Sequence, residues 1–139
     1  MPALSRWMVR LAFVYLLFGG LLGGWMLISR GFPDLAWSWH WYLNHVEWMQ
    51  MGWLLNLVFG VAYWIFPKFE GGKRPYKVLA YLACVLLNTG ILVYSLQVFF
   101  PGTGLFRLVG RSLEGLAMCA FLGHLFPRIK PFAATLRTK

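Results

Sequence analysis

Charge is scarce in this 139-residue sequence, and its scarcity limits the kind of protein that the sequence can form. Only 12% of the residues are charged, against about 25% in a typical soluble domain, whereas 60% are hydrophobic and 19% are aromatic. So few polar side chains cannot cover the surface of a water-soluble protein of this size. Lipid tails solvate apolar side chains directly, and the composition therefore indicates an integral membrane protein.

Acidic residues are the rarest charges, since four carboxylates stand against 13 Lys and Arg, for a net charge of +9. The basic residues lie in short segments between long apolar runs rather than in one stripe. Membrane proteins use Lys and Arg in this way to set their orientation and to contact anionic headgroups. The charge pattern therefore favours the lipid bilayer as the partner and argues against nucleic acid.

Cysteine is nearly absent, and the motifs of soluble enzymes are absent from the sequence. Cys84 and Cys119 both lie inside apolar runs, with no CxxC or Cys/His zinc spacing, and are expected to act as small hydrophobic side chains. No GxGxxG motif, P-loop or nucleophile elbow occurs. The sequence itself therefore indicates no soluble enzyme class.

Four apolar stretches are long enough to cross a bilayer, which takes about 20 residues in a helix. They cover residues 7–28, 44–66, 76–100 and 105–126. Proline and glycine punctuate the connections, and the aromatic-rich residues 35–43 predict a short interfacial helix or turn. The sequence thus predicts an all-α fold, a four-helix integral membrane bundle in a single domain over residues 1–139.

The distribution of Lys and Arg predicts the orientation of this bundle. The N-terminus, the loop between the second and third spans and the C-terminus share one side and carry ten of the 13 basic residues. The other side carries Arg30, Arg107 and Arg111. The positive-inside rule therefore predicts a multi-pass protein of the cell membrane with both termini in the cytoplasm.

Ionisable residues within a span are candidates for function, because each costs about 2.5–3.5 kcal/mol on insertion scales. His45 and Glu47 lie in the outer half of the second span, and Arg111 and Glu114 lie in the outer half of the fourth. Arg111 and Glu114 share a helix face, and Glu47 reaches Arg111 if the two spans touch. Two interpretations stay open for this polar network: an ion pair that fixes helix packing, or a polar pocket around a cofactor or proton route. His124, near the inner end of the fourth span, is predicted to be a plain interfacial histidine.

Small and polar residues predict close contacts between the helices. Gly52, Asn56 and Gly60 follow His45 along one helical stripe, which lets another helix or a flat ligand approach the backbone. The first span contains two overlapping GxxxG pairs, formed by Gly19, Gly20, Gly23 and Gly24. The third span offers side chains for hydrogen bonds across helices, namely Asn88, Thr89, Ser95 and Gln97.

The second span also resembles a known family. Residues 45–53 read HVEWMQMGW, and GVAYW at 60–64 and Phe66-Pro67 follow. This segment is similar to the second helix of the catalytic subunit of heme-copper oxidases and nitric oxide reductases. It is more similar still to small four-helix relatives that look like truncated versions of that subunit I. The sequence FPRI at 126–129 also fits those relatives.

The resemblance implies that His45 ligates the iron of heme b, with Gly52, Asn56 and Gly60 as further cofactor-binding residues. Glu47 stands where the small relatives often have the second histidine of a His-x-His pair. The family's other heme and copper ligands come from later helices that these 139 residues do not include, so this chain is not a complete oxidase or reductase on its own. A second axial ligand would come from His40, from a methionine such as Met26 or Met49, or from another chain.

Three functions remain as hypotheses. The leading one is an electron-transfer protein or respiratory-complex subunit with heme b, either as a homo-oligomer or within a larger membrane complex. The second is a cofactor-free structural or accessory subunit on the same scaffold. The third is a small transporter, which the sequence supports least, because the first span has no carboxylate and the acidic residues lie near the outer face.

Overall fold

The computed structural model describes residues 1–32, 34, 39–67 and 76–129. Within these ranges the regular structure is entirely helical, with four helices and no strand. The helices begin and end within five residues of the predicted stretches. Of the predicted interfacial segment, the structure describes the part from residue 39, where a short turn of helix leads directly into the second helix. Residues 68–75 and 130–139 lie outside the described ranges.

The helices are named in chain order. Helix α1 is Ala3–Ser29. Helix α2 covers residues 42–65 in three consecutive stretches, which are Tyr42–Glu47, Trp48–Leu55 and Asn56–Ile65. Helix α3 is Lys77–Ser95, extended by a 3₁₀ turn at Leu96–Val98. Helix α4 is Leu105–Leu125, extended by a 3₁₀ turn at Phe126–Arg128.

Two of these helices are long and apolar enough to cross a membrane. Helix α1 has 27 residues and a mean hydropathy of 2.1, and α3 with its extension has 22 residues and a mean hydropathy of 1.9. Helix α4 has 21 residues, but Arg107, Arg111 and Glu114 make it more polar.

The middle stretch of α2, Trp48–Leu55, is a π-helix of eight residues. A π-helix bonds each amide five residues back, so its carbonyls leave the ordinary α-helical pattern. At the end of the stretch the Asn56 side-chain amide donates to the Gly52 carbonyl at 2.8 Å. The wider turns also rotate the residues that follow, so positions at α-helical spacing across this stretch need not share a face.

Helix α1 packs along α2 through the small residues of α2. A Cβ atom at Gly52 would lie 2.5 Å from the Tyr15 ring, and one at Gly60 would lie 3.1 Å from Met8 Cβ. Ser5 Oγ donates to the Gly60 carbonyl at 2.5 Å. The glycines of α2 are therefore contact points for α1.

Polar side chains join α2 to α3, and the predicted hydrogen bonds across helices from Asn88, Ser95 and Gln97 are confirmed. Asn88 Nδ2 donates to Asn56 Oδ1 at 3.1 Å. Trp48 Nε1 donates to Ser95 Oγ at 2.9 Å, and Gln97 Nε2 donates to Asn44 Oδ1 at 3.4 Å. Asn44 Nδ2 also donates to the Ser95 backbone carbonyl at 3.0 Å.

Helices α3 and α4 cross at two facing glycines. A Cβ atom at Gly90 would lie 2.9 Å from the Gly110 carbonyl oxygen, and one at Gly110 would lie 2.9 Å from the Gly90 carbonyl oxygen. Because neither residue has a side chain, the two backbones touch directly.

The distribution of polarity is the reverse of that in a soluble protein. Among the described residues, six of the nine largest fully buried side chains are polar or charged, namely Arg128, His124, Glu47, Asn44, Asn56 and Ser5. The apolar part of the core includes Leu87, Ile91 and the stacked rings of Phe59 and Phe121, whose centroids are 3.8 Å apart. Large apolar side chains meanwhile cover the outside, and Val78 is 78% exposed.

Candidate functional site

His45 lies near the start of α2, with its imidazole against α1. Its Nδ1 atom is 2.8 Å from the Gly19 carbonyl oxygen, and because a carbonyl only accepts, Nδ1 carries the proton. In the neutral ring this leaves the Nε2 lone pair for another partner. A Cβ atom at Gly23 would lie 2.6 Å from His45 Cε1, so a glycine at this position makes room for the ring. This backbone hydrogen bond fixes the tautomer and the ring orientation, as it does in many metal-ligating histidines.

An apolar groove of about 400 Å³ adjoins this imidazole. Its walls come from α1, from Trp39 and from the first residues of α2, and include Gly20, Gly23, Gly24, Met26, Tyr42 and His45. A Cβ atom at Gly20 or Gly24 would meet nothing within 4 Å, so this wall is smooth and open. A fixed histidine, a flat glycine wall and a thioether fit ligation of a porphyrin iron from this chain.

The two GxxxG pairs of α1 therefore have different surroundings. Gly19 and Gly23 face α2, where their missing side chains leave room for Met49 and His45. Gly20 and Gly24 face away from α2 and line the groove, which Gly23 also borders. The sequence pattern gave no basis for this division, because adjacent glycines in a helix are chemically identical.

The three small residues predicted to bind the cofactor lie elsewhere. Helix α1 covers Gly52 and Gly60, and Asn56 pairs with Asn88 of α3. None of the three lines the groove beside His45. In the structure, α1 and α3 pack against this part of α2. The three small residues are therefore separated from His45, although the sequence predicted that all four lie along one stripe.

A second polar group, which we call the carboxyl–arginine cluster, consists of Glu47, Arg111 and Glu114. Arg111 Nη2 lies 2.6 Å from Glu47 Oε2, and Arg111 Nη1 donates to Glu114 Oε2 at 2.8 Å. Glu47 and Glu114 are 1% and 3% exposed, whereas the Arg111 side chain is 43% exposed. One guanidinium thus joins two buried carboxyl groups from α2 and α4.

Sequence reasoning missed the residues that position this cluster. The Tyr94 ring lies 4.4 Å from Arg111 Cζ, and a Cβ atom at Gly90 would lie 2.9 Å from Glu114 Cγ. The glycine crossing of α3 and α4 therefore places Glu114 inside the bundle. No sequence signal pairs them in advance, since Gly90 lies 11 residues before the turn at 101–104 and Gly110 lies six residues after it.

The third polar group lies at the other end of the bundle and corrects the prediction for His124. That residue was predicted to be a plain interfacial histidine, but it is fully buried. Its Nδ1 lies 3.2 Å from the Tyr76 carbonyl oxygen and its Nε2 lies 2.9 Å from Arg128 Nη1. His124 is one residue from the end of α4, whereas His45 lies near the start of α2, so the two histidines serve separate groups.

The fold and these groups define a helical bundle with a polar interior, in which two helices can cross a membrane. The chain matches no family model, no curated protein and no solved structure. Its function is therefore inferred from its own residues.

Proposed function

We propose that this chain is a multi-pass protein of the cell membrane in which all four helices span the bilayer and both termini lie in the cytoplasm. Each helix exposes large apolar side chains, for example Leu21, Ile65, Val85 and Leu108, which are 61–67% exposed. Lipid, unlike water, solvates such a surface at no cost. Glu47 of α2 and Glu114 of α4 are buried and pair with Arg111, as ionisable groups within a membrane do.

We further propose that His45 binds the iron of heme b and that the chain serves as an electron-transfer protein or as a subunit of a respiratory complex, like the subunit I proteins that it resembles. The observation that carries this proposal is the position of His45, with Nδ1 bonded to the Gly19 carbonyl at 2.8 Å and the ring beside an apolar groove. Met26 lines the same groove and offers a thioether from this chain. Gly52, Asn56 and Gly60 have no part in this version of the site, because α1 and α3 cover them.

The bound heme would supply one-electron chemistry, and the chain would supply its setting. His45 would hold the iron, with its Nδ1–H bond to Gly19 raising the basicity of the ligating nitrogen. Gly20 and Gly24 would let the flat ring lie against the backbone of α1. The surrounding apolar wall would exclude water and thereby influence the redox potential.

A visible spectrum of the protein purified in mild detergent from heme-replete cells tests this proposal. The reduced-minus-oxidised spectrum of the wild type should show the bands of a b-type heme, and His45→Ala should remove them. His40→Ala is the matched control, since His40 is exposed and does not line the groove, and it should keep the bands. Bands that persist in His45→Ala would exclude His45 as the ligand.

A cofactor-free structural or accessory subunit is the second candidate, and one observation favours it. Gly19, Gly23, Gly52 and Gly60 all serve contacts between α1 and α2, which accounts for most of the small residues without a ligand. A colourless wild-type preparation from heme-replete cells would support this function in place of the first.

A further inference from the structure

A polar cavity of about 350 Å³, which we call the outer cavity, lies where the turn at 101–104 approaches the start of α2. This end of the bundle is opposite to the N-terminus, so it faces the outside in the topology proposed above. The volume falls in the range of small-molecule sites, about 300–1,000 Å³. The wall of the outer cavity includes Trp39, His40, Asn44, Gln97, Thr103 and Arg107.

The polar part of this wall has a cation and no acid. Within the described part of the chain, no carboxyl group lines the outer cavity and Arg107 has no ion pair. Arg111, one turn further along α4, pairs with both carboxyl groups of the carboxyl–arginine cluster. Asn44 and Gln97 add amide donors, because each side-chain NH₂ group has two hydrogens and donates one of them in a bond described above. The outer cavity therefore offers positive charge and N–H donors, which favour an anionic ligand.

An apolar groove of about 410 Å³, which we call the α2–α3 groove, adjoins the outer cavity. Asn44 lines both spaces. The wall of the groove includes Trp48 of α2 and Leu92 and Leu96 of α3 with its extension. The groove extends from residue 99 to residue 89, which is nearly three helical turns toward the middle of the bundle. A cationic, donor-rich cavity that continues into a long apolar groove matches the two parts of a phospholipid.

We propose that these two spaces bind one anionic phospholipid, with its phosphate in the outer cavity and an acyl chain in the α2–α3 groove. The guanidinium fork of Arg107 pairs with the phosphate oxygens, a geometry to which arginine is suited. The remaining N–H groups of Asn44 and Gln97 donate to other headgroup oxygens. Free phosphate has the same anionic oxygens but no chain to fill the groove. The inference rests on the membrane topology proposed above and does not depend on heme.

Native mass spectrometry of the full chain released from detergent micelles tests the proposal, because it counts the lipids that stay bound to each chain. The wild type should bind one phosphatidylglycerol more tightly than phosphatidylcholine, which has a phosphate and two chains but no net charge. Arg107→Gln should weaken the binding of phosphatidylglycerol by about tenfold, because a charge-assisted contact is lost. Arg10→Gln removes the same charge from an exposed residue of α1 and should keep the wild-type affinity.

A second pair of variants tests the site of the acyl chain. Leu92→Trp places a large ring in the α2–α3 groove and should lower the affinity for phosphatidylglycerol. Leu122→Trp is the matched control, since Leu122 on α4 is 60% exposed, against 61% for Leu92, and does not line the groove. Inorganic phosphate at the same concentration as the lipid should not displace it.

Several outcomes would overturn the proposal: equal wild-type affinities for the two lipids, wild-type binding by Arg107→Gln, equal effects of the two tryptophan substitutions, or displacement of the lipid by inorganic phosphate. The measurement requires neither heme nor a particular orientation in the membrane. Its failure would therefore leave the proposed heme site intact, and a colourless preparation would leave the lipid site intact.

Discussion

Arg128, in the 3₁₀ turn that follows α4, stabilises the end of α2. Its Nε donates to the Pro67 carbonyl at 3.0 Å, and its Nη2 donates to the carbonyls of Tyr63 and Phe66. The last carbonyls of any helix lack partners within that helix, and here they are met by a side chain that is 1% exposed. The five N–H groups of a guanidinium suit this task, and the backbone oxygens distribute its charge.

Arg128→Met should therefore lower the free energy of unfolding by about 3 kcal/mol, because buried carbonyls lose a charged donor. Reversible unfolding in mixed micelles measures this difference. Arg107→Met, at an exposed arginine of α4, is the control and should change the value by less than about 0.5 kcal/mol. Equal effects of the two substitutions would mean that Arg128 contributes no more to stability than a surface arginine.

Sequence reasoning identified the unusual residues but not all of their partners. Ionisable groups within apolar stretches stand out from composition alone, so His45, Glu47, Arg111 and Glu114 could be named in advance. The Gly19 carbonyl that holds His45 could not be named, since every residue of a helix has such a carbonyl. The burial of His124 could not be predicted either, because it depends on Arg128, four residues later, whose side chain contacts the end of α2.

At the scale of the elements, the hairpin of α3 and α4 depends on one close crossing. Gly110→Ala would place a Cβ atom 2.7 Å from Tyr94 Cβ and 2.9 Å from the Gly90 carbonyl oxygen. Overpacking of this kind costs about 1–3 kcal/mol, and the same substitution should shift the carboxyl–arginine cluster. Unfolding measurements in mixed micelles check the loss.

Gly115→Ala is the matched control in the same helix. A Cβ atom at Gly115 meets nothing within 4 Å, so alanine should be neutral or should stabilise α4 by up to about 1 kcal/mol. If both substitutions stabilised the protein, the helices could not cross at Gly110 as described.

The π-helical stretch of α2 separates His45 from the residues that follow it in the predicted stripe. The apolar run in the sequence located α2 well, because the apolar composition of a segment decides whether it leaves water. The prediction then assumed α-helical spacing throughout, and no residue type in Trp48–Leu55 signals a change of hydrogen-bonding pattern. Asn56 pairs with Asn88 of α3, and Gly52 and Gly60 contact α1.

For the whole molecule, the orientation in the membrane is the most direct test. In a variant with Cys84 and Cys119 replaced by alanine, Thr103→Cys should react with a membrane-impermeant maleimide on intact cells. Arg6→Cys should react only after the cells are permeabilised, because the excess of Lys and Arg retains that side in the cytoplasm. The opposite labelling pattern would refute the proposed topology and would reverse the depth assigned to His45.

The number and position of the helices followed from the sequence, whereas their arrangement did not. Four apolar runs separated by proline and glycine leave little freedom in where helices begin and end. Which helices touch depends on glycines and the residues that they meet on another helix, such as Gly60 against Met8 and Gly90 against Gly110, which are far apart in the chain. Such pairs cannot be recognised in one sequence read alone.

The π-helical stretch of α2 lets the side chains before and after it point in directions that a regular α-helix of the same length would not allow. Removing a single residue from the stretch would restore ordinary winding and turn one end relative to the other by about 100°. The imidazole of His45 would then swing away from the Gly19 carbonyl, or Gly60 would leave Ser5, since one straight helix could not satisfy both. The length of this stretch, more than any single side chain within it, therefore sets the rotation of one end of α2 relative to the other.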